Sequence, residues 1–245
     1  LVLLTLEPER PHGQEHEQIA TLSEVEHLLG EPLHPLSRVI AGGRPGLAMA
    51  LAQVAAMQNL GVQRVLLVGA DTLLNAASID HFLGQERLLA TGNSDGFLPG
   101  EAAAAVLLEL GVQTPGVYVT GIGRGQEAGR PDGTVPSRAQ GLSTAMRTAI
   151  RHAGVAGSAI AFRLSDQNGE GFFAGEAADA MTRLGGDGVD TPAVLTTADC
   201  TGEIGAATGP LMLAWMFDVM PREDGPGACA LIHLAGDADD RCAAV

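Results

Sequence analysis

Cysteine is the strongest nucleophile among protein side chains, and this 245-residue chain contains three: Cys200, Cys229 and Cys242. Cys200 lies near the start of a predicted helix, where the partial positive charge of the helix end stabilises a thiolate. The neighbouring carboxylates of Asp199 and Glu203 would instead raise its pKa. A small, half-buried cysteine is therefore the simpler interpretation, and a nucleophilic Cys200 is the alternative.

Carboxylates are the second group of residues that could do chemistry. Asp166, Asp199, Glu203 and Asp237 could converge if the fold brings their segments together. Such a cluster could bind a divalent cation, and a pair such as Asp166 and Glu203 could act as general acid and base. Nothing in the spacing is diagnostic of a metal, and a solvated acidic pocket fits as well. We therefore predict no metal site and no cofactor.

His233 follows the apolar segment 228–232 and stands close to the acidic residues that come after it. We expect it to face the same site. A lone histidine on an apolar strand is more often a core residue than a base, so both interpretations stay open.

The chain has no lysine, because all of its 14 basic residues are arginine. A lysine Schiff base to pyridoxal phosphate is therefore excluded, and so is a P-loop with its lysine.

The formal net charge of −15 indicates an acidic surface, which repels nucleic acid phosphates and anionic membranes. No apolar run reaches the length of a transmembrane helix, and the opening LVLLTL lacks the basic start of a signal peptide. Three cysteines without metal-type spacing favour a reduced protein over a disulfide framework. We therefore expect a cytoplasmic protein that binds neither nucleic acid nor membrane.

Apolar strands alternate with long helices along the chain. Residues 65–68 are apolar at consecutive positions, as expected of a parallel strand covered on both faces. Residues 47–57 are apolar almost all round, which predicts a buried helix. Further strands are predicted at 1–6, 103–108, 117–120, 193–196 and 228–232, and further helices at 137–152, 172–184 and 202–220. The alternation predicts a layered α/β fold, with the glycine-rich segment 121–133 as a long loop.

A weak internal repeat supports a duplicated fold. Residues 43–71 and 202–237 each run from a glycine-rich start through an apolar helix and a turn to a buried strand with an Ala/Gly-Asp ending. The order of five features agrees, so we favour duplication over coincidence.

Two segments resemble the β-ketoacyl-acyl-carrier-protein synthase family. Residues 93–108 read NSDGFLPGEAAAAVLL, similar to the family's Asp-Gly-Phe and Gly-Glu-Ala-Ala before an apolar strand. Residues 201–209 read TGEIGAATG, similar to the family's Thr-Gly-His-Ser-Leu-Gly-Ala-Ala-Gly. The resemblance covers nearly the whole chain but begins partway into the family's N-terminal half.

The resemblance implies that the catalytic Cys-His-His set of a condensing synthase is absent. Aligned by eye, the family's nucleophilic cysteine falls at Gly43, and its two histidines fall at Asp166 and Glu203. The family's lysine falls at Ala198, and AGDAD at 235–239 replaces the Gly-Phe-Gly-Gly loop. Condensation needs a thiolate at a helix start and imidazoles that stabilise an enolate oxygen. Two carboxylates in their place would repel that intermediate.

Arg44 stands beside the position of the lost nucleophile. It could fill the emptied pocket, or pair with Asp166 or Glu203 and turn the site into a structural salt bridge. The predicted pocket residues are thus Arg44, Asp166, Asp199, Glu203 and His233.

The resemblance implies a thiolase-like α/β/α/β/α fold of two related halves, at residues 1–110 and 111–245, with the N-terminal part of the first half missing. Family members dimerise by pairing a strand of the N-terminal half, and residues 37–41 (SRVIA) are expected to form that strand. A homodimer, or a heterodimer with an active synthase, follows from the resemblance.

Three functions remain open. The first is a non-condensing synthase-like subunit of fatty acid or polyketide synthesis that holds a synthase partner, an acyl carrier protein or an acyl thioester. The second is an acyltransferase or thioester hydrolase that uses Cys200 or the Asp166/Glu203 pair. The third is an assembly scaffold with no acyl ligand, since a fold by itself does not fix a function.

Overall fold

The computed structural model describes residues 1–13, 15–112, 114–186 and 191–245. Within these ranges the strands are β1 Val2–Thr5, β2 Arg38–Ala41, β3 Arg64–Thr72, β4 Glu101–Glu109, β5 Ile122–Gln126, β6 Phe162–Ser165, β7 Ala193–Thr196, β8 Ala230–Ala235 and β9 Asp240–Ala244. The helices are α1 Glu15–Leu29, α2 Gly46–Met57, α3 Ala76–Gly84, α4 Gln140–Ala153, α5 Gly171–Gly185, α6 Ala198–Thr201 and α7 Thr208–Val219. In this part of the chain, no helix is both long and apolar enough to cross a membrane.

The strands form two mixed sheets that follow one another along the chain. The first has the order β2-β1-β3-β4, and the second has the order β5-β9-β8-β6-β7. In the first sheet β4 runs antiparallel to β3, and in the second sheet β9 runs antiparallel to both of its neighbours, β8 and β5. The remaining pairs are parallel. The first sheet uses strands up to Glu109 and the second uses strands from Ile122 onward.

Helices α2 and α7 lie between the two sheets and form the main core with them. Leu47 and Leu51 of α2 and Met212 of α7 share one buried cluster with Leu67 of the first sheet and Ile232 of the second. A helix enclosed by sheets on both sides must be apolar nearly all round, which explains the composition of α2. Small residues such as Ala48 and Ala50 let the layers approach closely.

The outer layers complete five layers in all. Helices α4 and α5 cover the outer face of the second sheet, where Leu142, Met146 and Leu184 pack against Leu231 and Ala243. Helix α1 packs against β2 of the first sheet. The order is therefore α, sheet, α, sheet, α, and the predicted thiolase-like layered fold is confirmed.

The two halves have matching parts, but their described elements are not the same in number. Helix α2 leads into β3 in the first half as α7 leads into β8 in the second, in line with the predicted repeat. Strand β5 and helix α4 have no counterpart among the described residues of the first half. The outer face of β3 and β4 is accordingly uncovered, and Leu66 and Leu107, which lie opposite each other on it, are 43% and 58% exposed.

Several predicted elements are shifted. Residues 117–120 do not form a strand; the strand is β5, inside the segment 121–133 that was predicted to be a loop. Its sequence IGRGQ has low strand propensity. Its glycines are required because a Cβ at Gly123 would lie 1.9 Å from the carbonyl oxygen of Ala145 in α4. Close contact with α4 thus outweighs local propensity.

Other boundaries differ in the second half. Helix α7 begins at Thr208 rather than at residue 202, because the chain first makes a four-residue helix and a 3-10 turn. Strand β8 runs Ala230–Ala235 instead of 228–232. Strands β6 and β9 were not predicted, since β9 carries the charged residues Asp240 and Arg241.

The inward and outward faces of β3 give a first prediction. Leu67 is fully buried, whereas its neighbour Leu66 is on the uncovered face. Replacing Leu67 by alanine should lower the free energy of unfolding by about 2–5 kcal/mol, because it leaves a cavity. Leu66→Ala should cost less than about 1 kcal/mol. Urea unfolding of both variants measures the difference, and equal losses would contradict the uncovered face.

Candidate functional site

The candidate site lies where several parallel strands end and helix α2 begins. Asp166 directly follows β6, Asp237 comes two residues after β8, and Glu7 comes two residues after β1. Ligands of open α/β sheets commonly bind at the carboxyl ends of the strands. The fold therefore gathers these acidic side chains around the residues that precede α2, including Arg44.

Arg44 is the centre of the cluster and is only 4% exposed. Its Nη1 donates to Oε2 of Glu203 at 2.7 Å, and its Nη2 donates to Oδ1 of Asp237 at 3.0 Å. Its Nε lies 3.6 Å from Oδ2 of Asp166. The guanidinium also stacks over the ring of Phe173, 4.6 Å from the ring centre. One buried cation is thus shared by three carboxylates and an aromatic ring.

Arg87 is a second buried cation that holds the outer side of the cluster. Its Nε and Nη2 donate to the two oxygens of Glu170 at 2.7 and 2.9 Å. Its Nη1 and Nη2 donate to the two oxygens of Asp237 at 2.8 and 3.0 Å. Asp237 therefore bridges Arg87 and Arg44. Bidentate pairs of this kind fix geometry as well as charge.

Neutral donors complete the coordination of the acids. Asn168 donates through Nδ2 to Glu203 at 2.8 Å and to Glu170 at 3.1 Å. The backbone N–H of Gly205 donates to Oε1 of Glu203 at 2.8 Å, and that of Ala235 donates to Oδ2 of Asp166 at 2.8 Å. Carboxylates with this many partners are held rigidly.

A second ion pair joins the cluster from the side of the first sheet. Arg10 binds both oxygens of Asp71, at 3.0 and 2.7 Å, and lies 3.4 Å from Oε2 of Glu7. Asp71 also accepts a hydrogen bond from the backbone N–H of Ala206 at 2.9 Å. This pair connects the ends of β1 and β3 with the segment that leads into α7.

The carboxylates of the cluster titrate in different ranges. Burial by itself raises the pKa of Asp237, but Arg87 and Arg44 outweigh it and lower the pKa to about 2. Burial raises the pKa of Asp166 to about 7, although Arg44 and the N–H of Ala235 oppose the shift. Burial by itself lowers the pKa of Arg44. The negative charges of Glu203 and Asp166 outweigh this effect and raise its pKa, so Arg44 stays charged.

Little space remains inside the cluster. The cavity bounded by Arg44, Arg87, Glu203, Asp237 and Glu7 has a volume of about 10 Å³. That is about the room one water molecule needs, whereas ligand sites usually measure about 300–1,000 Å³. The arrangement can hold charges and has room for one water molecule, but it has no room for an acyl chain.

Three of the residues predicted to line the pocket, Arg44, Asp166 and Glu203, lie together. Asp237, which was predicted to converge with the other acids, also pairs with Arg44. Asp199 does not, and its inclusion was wrong. It is exposed on the short helix α6, where it accepts a hydrogen bond from Thr196 at 2.7 Å. The turn of α6 directs it to solvent while Glu203, after the turn, points inward.

His233 is also outside the cluster, and the prediction that it faces the site was wrong. Its strand neighbours Ile232 and Leu234 face the core between the sheets, so His233 points toward the outer helices α4 and α5. Burial and the nearby Arg163 lower its pKa to about 3. A neutral imidazole with a buried, unpaired Nε2 is left there.

The cysteines do not reach the cluster either. Cys200 is exposed on α6, Cys229 is half-buried, and Cys242 is buried in the main core, where burial raises its pKa to about 12. Within the described residues, no group of histidine, cysteine and acidic side chains has the arrangement of a metal site.

The site also contains residues that sequence reasoning missed. They are Glu7, Arg10, Asp71, Arg87, Asn168, Glu170 and Phe173. Asn168 and Glu170 lie in the segment 164–170 that aligns with the family's first histidine, and Arg87 lies just before the segment that carries the resemblance. A search for buried charges near those motifs could have found these three.

The sequence matches no protein-family model, and no curated protein is similar to it. Solved structures are similar in fold. The ishigamide ketosynthase/chain length factor has a TM-score of 0.68 and 18% identity, covering 99% of this chain and 74% of that chain. The β-ketoacyl-[acyl carrier protein] synthase III of Thermus thermophilus has a TM-score of 0.60 and 20% identity, covering 99% of this chain and 75% of that chain. A ketosynthase of the bacillaene synthase of Bacillus subtilis 168 has a TM-score of 0.73 and 14% identity, covering 99% of this chain and 52% of that chain.

The chain thus spans about three quarters of the first two structures and about half of the third. Identities of 20% or less establish the fold and leave the activity to be argued from the site. The chain has the thiolase-like fold of the ketosynthases.

Proposed function

We propose that the protein is a non-condensing ketosynthase-like subunit that acts as the partner of a synthase in fatty acid or polyketide synthesis. The observation that carries this proposal is the burial of Arg44 at the start of α2, ion-paired with Glu203 and Asp166. These two acids occupy the positions that align with the family's catalytic histidines. The chain's own side chains therefore fill the place where a condensing enzyme acts.

The chemistry of the cluster argues against condensation. A decarboxylating condensation needs a nucleophilic thiolate and donors that stabilise an enolate oxygen. The described residues that line the cavity include neither cysteine nor histidine. The cations that could attract an enolate or a malonyl carboxylate, Arg44 and Arg87, are already paired with acids of the chain.

Space argues in the same direction. A cavity of about 10 Å³ holds no acyl group, so an acyl thioester has no room beside Arg44. The small cavity therefore favours a protein that binds a partner through its surface over one that shapes a pocket for an acyl group. Strand β2, at residues predicted to pair across a dimer axis, is the end strand of the first sheet, and no described strand pairs with its outer edge. Solved relatives in fold include one named as a ketosynthase/chain length factor.

The hydrolase or acyltransferase alternative has less support. Asp166 and Glu203 are both bound to Arg44, which holds them as counter-ions and not as a free acid–base pair. Cys200 is exposed on a four-residue helix, and the carboxylate of its neighbour Asp199 accepts a hydrogen bond from Thr196. A scaffold without a synthase partner differs from our proposal only in what it binds.

The function is tested by intact-protein mass spectrometry together with an association assay. After incubation with acyl-CoA and acyl-carrier-protein thioesters, we expect no adduct, while a cysteine-containing synthase control becomes acylated. Mixed with the synthase of the same organism, the protein should form a complex that size-exclusion chromatography resolves. A stable adduct on Cys200 would contradict the proposal, and absence of the complex would favour the scaffold.

The structural role of Arg44 gives a further prediction. Arg44→Met should lower the free energy of unfolding by about 3–5 kcal/mol, because it leaves buried carboxylates without their counter-charge. The matched control is Arg64→Met, since Arg64 pairs with Glu109 at 3.1 Å with a side chain that is 69% exposed. That change should cost less than about 1 kcal/mol. Chemical denaturation measures the free energy of unfolding of both variants. An Arg44→Met protein as stable as the natural one would show that the cluster is not needed for folding.

Asp166 predicts how stability depends on pH. Its pKa is about 7 in the folded protein and about 3.9 in an unfolded chain, so the folded state binds more protons between these values. The free energy of unfolding therefore falls as the pH rises from about 4 to 7, by about 1.4 kcal/mol per unit of pKa shift, and levels off above. Asp166→Asn lacks the contribution of Asp166 but keeps that of Glu7, whose pKa is also raised to about 7.

The measurement is urea unfolding of both proteins at several pH values. The stability of the natural protein relative to Asp166→Asn should decrease across that window. A relative stability that increases with pH would mean that Arg44 keeps Asp166 ionised when folded.

A further inference from the structure

Glu7 lies against the residue at which the family's nucleophile aligns. Gly43 has a left-handed backbone conformation with φ of 51°. A Cβ atom at this position would lie 1.9 Å from Oε1 and 2.1 Å from Cδ of Glu7. Real Cβ atoms do not approach other atoms so closely, so residue 43 cannot carry a side chain while Glu7 keeps its place.

The position of Glu7 is fixed by the surrounding backbone and by Arg10. The backbone N–H groups of Gly42 and Gly43 donate to the carbonyl oxygen of Thr5, at 3.3 and 3.0 Å, which ties the two segments together. The backbone N–H of Arg10 donates to the carbonyl oxygen of Glu7 at 3.2 Å. Arg10 is in turn held by both oxygens of Asp71. These contacts hold the backbone around Glu7, and its carboxyl group is itself contacted by Arg10, whose Nη1 lies 3.4 Å from Oε2.

From this geometry we propose that Glu7 closes the candidate site: its carboxyl group takes the space of a residue-43 side chain and keeps acyl thioesters from the start of α2. The inference rests on the proposed function, because it explains how the site is kept shut. It makes Glu7 and Gly43 a coupled pair, in which a larger residue at one position requires a smaller one at the other.

Charge is compatible with this arrangement. Burial raises the pKa of Glu7 to about 7, with Arg10 opposing the shift and Asp237 and Asp71 adding to it. Up to neutral pH the group is therefore largely a neutral acid, which can lie beside Asp237 and Asp71 without repulsion. Its volume closes the site whether or not it is ionised.

The coupling is tested by a double-mutant cycle in thermal unfolding. Gly43→Ala alone should lower Tm by about 5–10 °C, from the clash with Glu7 and from backbone strain. In the Glu7→Ala background the same substitution should cost about half as much, since only the strain remains. Gly43→Ala with Glu7→Gln should keep the full loss, because glutamine has the volume of glutamate.

Gly61→Ala is the matched control for strain. Gly61 has a φ of 80°, and a Cβ there meets no atom within 4 Å. Its cost should be the same with and without Glu7. Losses for Gly43→Ala and Glu7→Ala that simply add would overturn the proposal.

Chemical access gives an independent readout. In a Cys200→Ser background, Gly43→Cys should react with iodoacetamide about tenfold faster when Glu7→Ala is also present, because the thiol is otherwise shielded. Peptide mapping separates residue 43 from Cys229 and Cys242. Equal rates with and without Glu7 would overturn the closure. Acylation of the natural protein, by contrast, would contradict the proposed function and leave the Glu7–Gly43 coupling as it is.

Discussion

The structure depends most on the pairing of one buried guanidinium, that of Arg44, with acids from the other half of the chain. A charge at 4% exposure is stable only when it is neutralised and hydrogen-bonded. Its partners Asp166, Glu203 and Asp237 lie after β6, before α7 and after β8, so each must be positioned by a different element of the second half. Arg44 itself precedes α2 of the first half. The pairing therefore fixes how the two halves meet at this end of the sheets.

Such a network limits the geometry more than it stabilises the fold. Removing two charges from water costs several kcal/mol for each, which their attraction offsets only when the geometry is good. Apolar residues of similar volume could fill the same space. What the ion pairs add is a single arrangement, because a bidentate contact such as Arg87 with Glu170 tolerates little displacement. Loss of Arg44 would leave Glu203 and Asp166 without the cation that pairs with both, so the arginines are the members of the cluster that are hardest to replace.

The fold could be predicted from the sequence because its signals are local. Consecutive apolar residues mark β3, an all-round apolar segment marks α2, and the repeated order of features marks the two halves. Strand β5 was missed because its glycines make it look like a loop. They are there because α4 packs closely against the strand, and strand propensity does not report such a contact. Strand β9 was missed because Arg241, buried against Glu176, looks like a surface residue in the sequence.

The site could be predicted only in part, for a related reason. Arg44, Asp166 and Glu203 were identified because they stand at or beside positions aligned with a catalytic set. Arg87 and Glu170 are 83 residues apart and carry no motif of their own, so only the fold shows that they meet. His233 and Asp199 were assigned to the site by proximity in sequence. The alternation of strand β8 and the turn of α6 send them elsewhere.

The acids of the site also satisfy backbone groups that would otherwise be costly to bury. The N–H groups of Ala235, Gly205 and Ala206 lie at strand and helix ends, where no carbonyl of the same element can accept from them. Asp166, Glu203 and Asp71 accept from them, one each. A carboxylate in this place does what a bound anionic group would do in an open site, and the arginines neutralise the charge that results. The acids and arginines thus satisfy most of one another's polar groups, although the buried Nε of Arg10 has no hydrogen-bond partner among the described residues. Because these side chains are held against one another, little space remains between them.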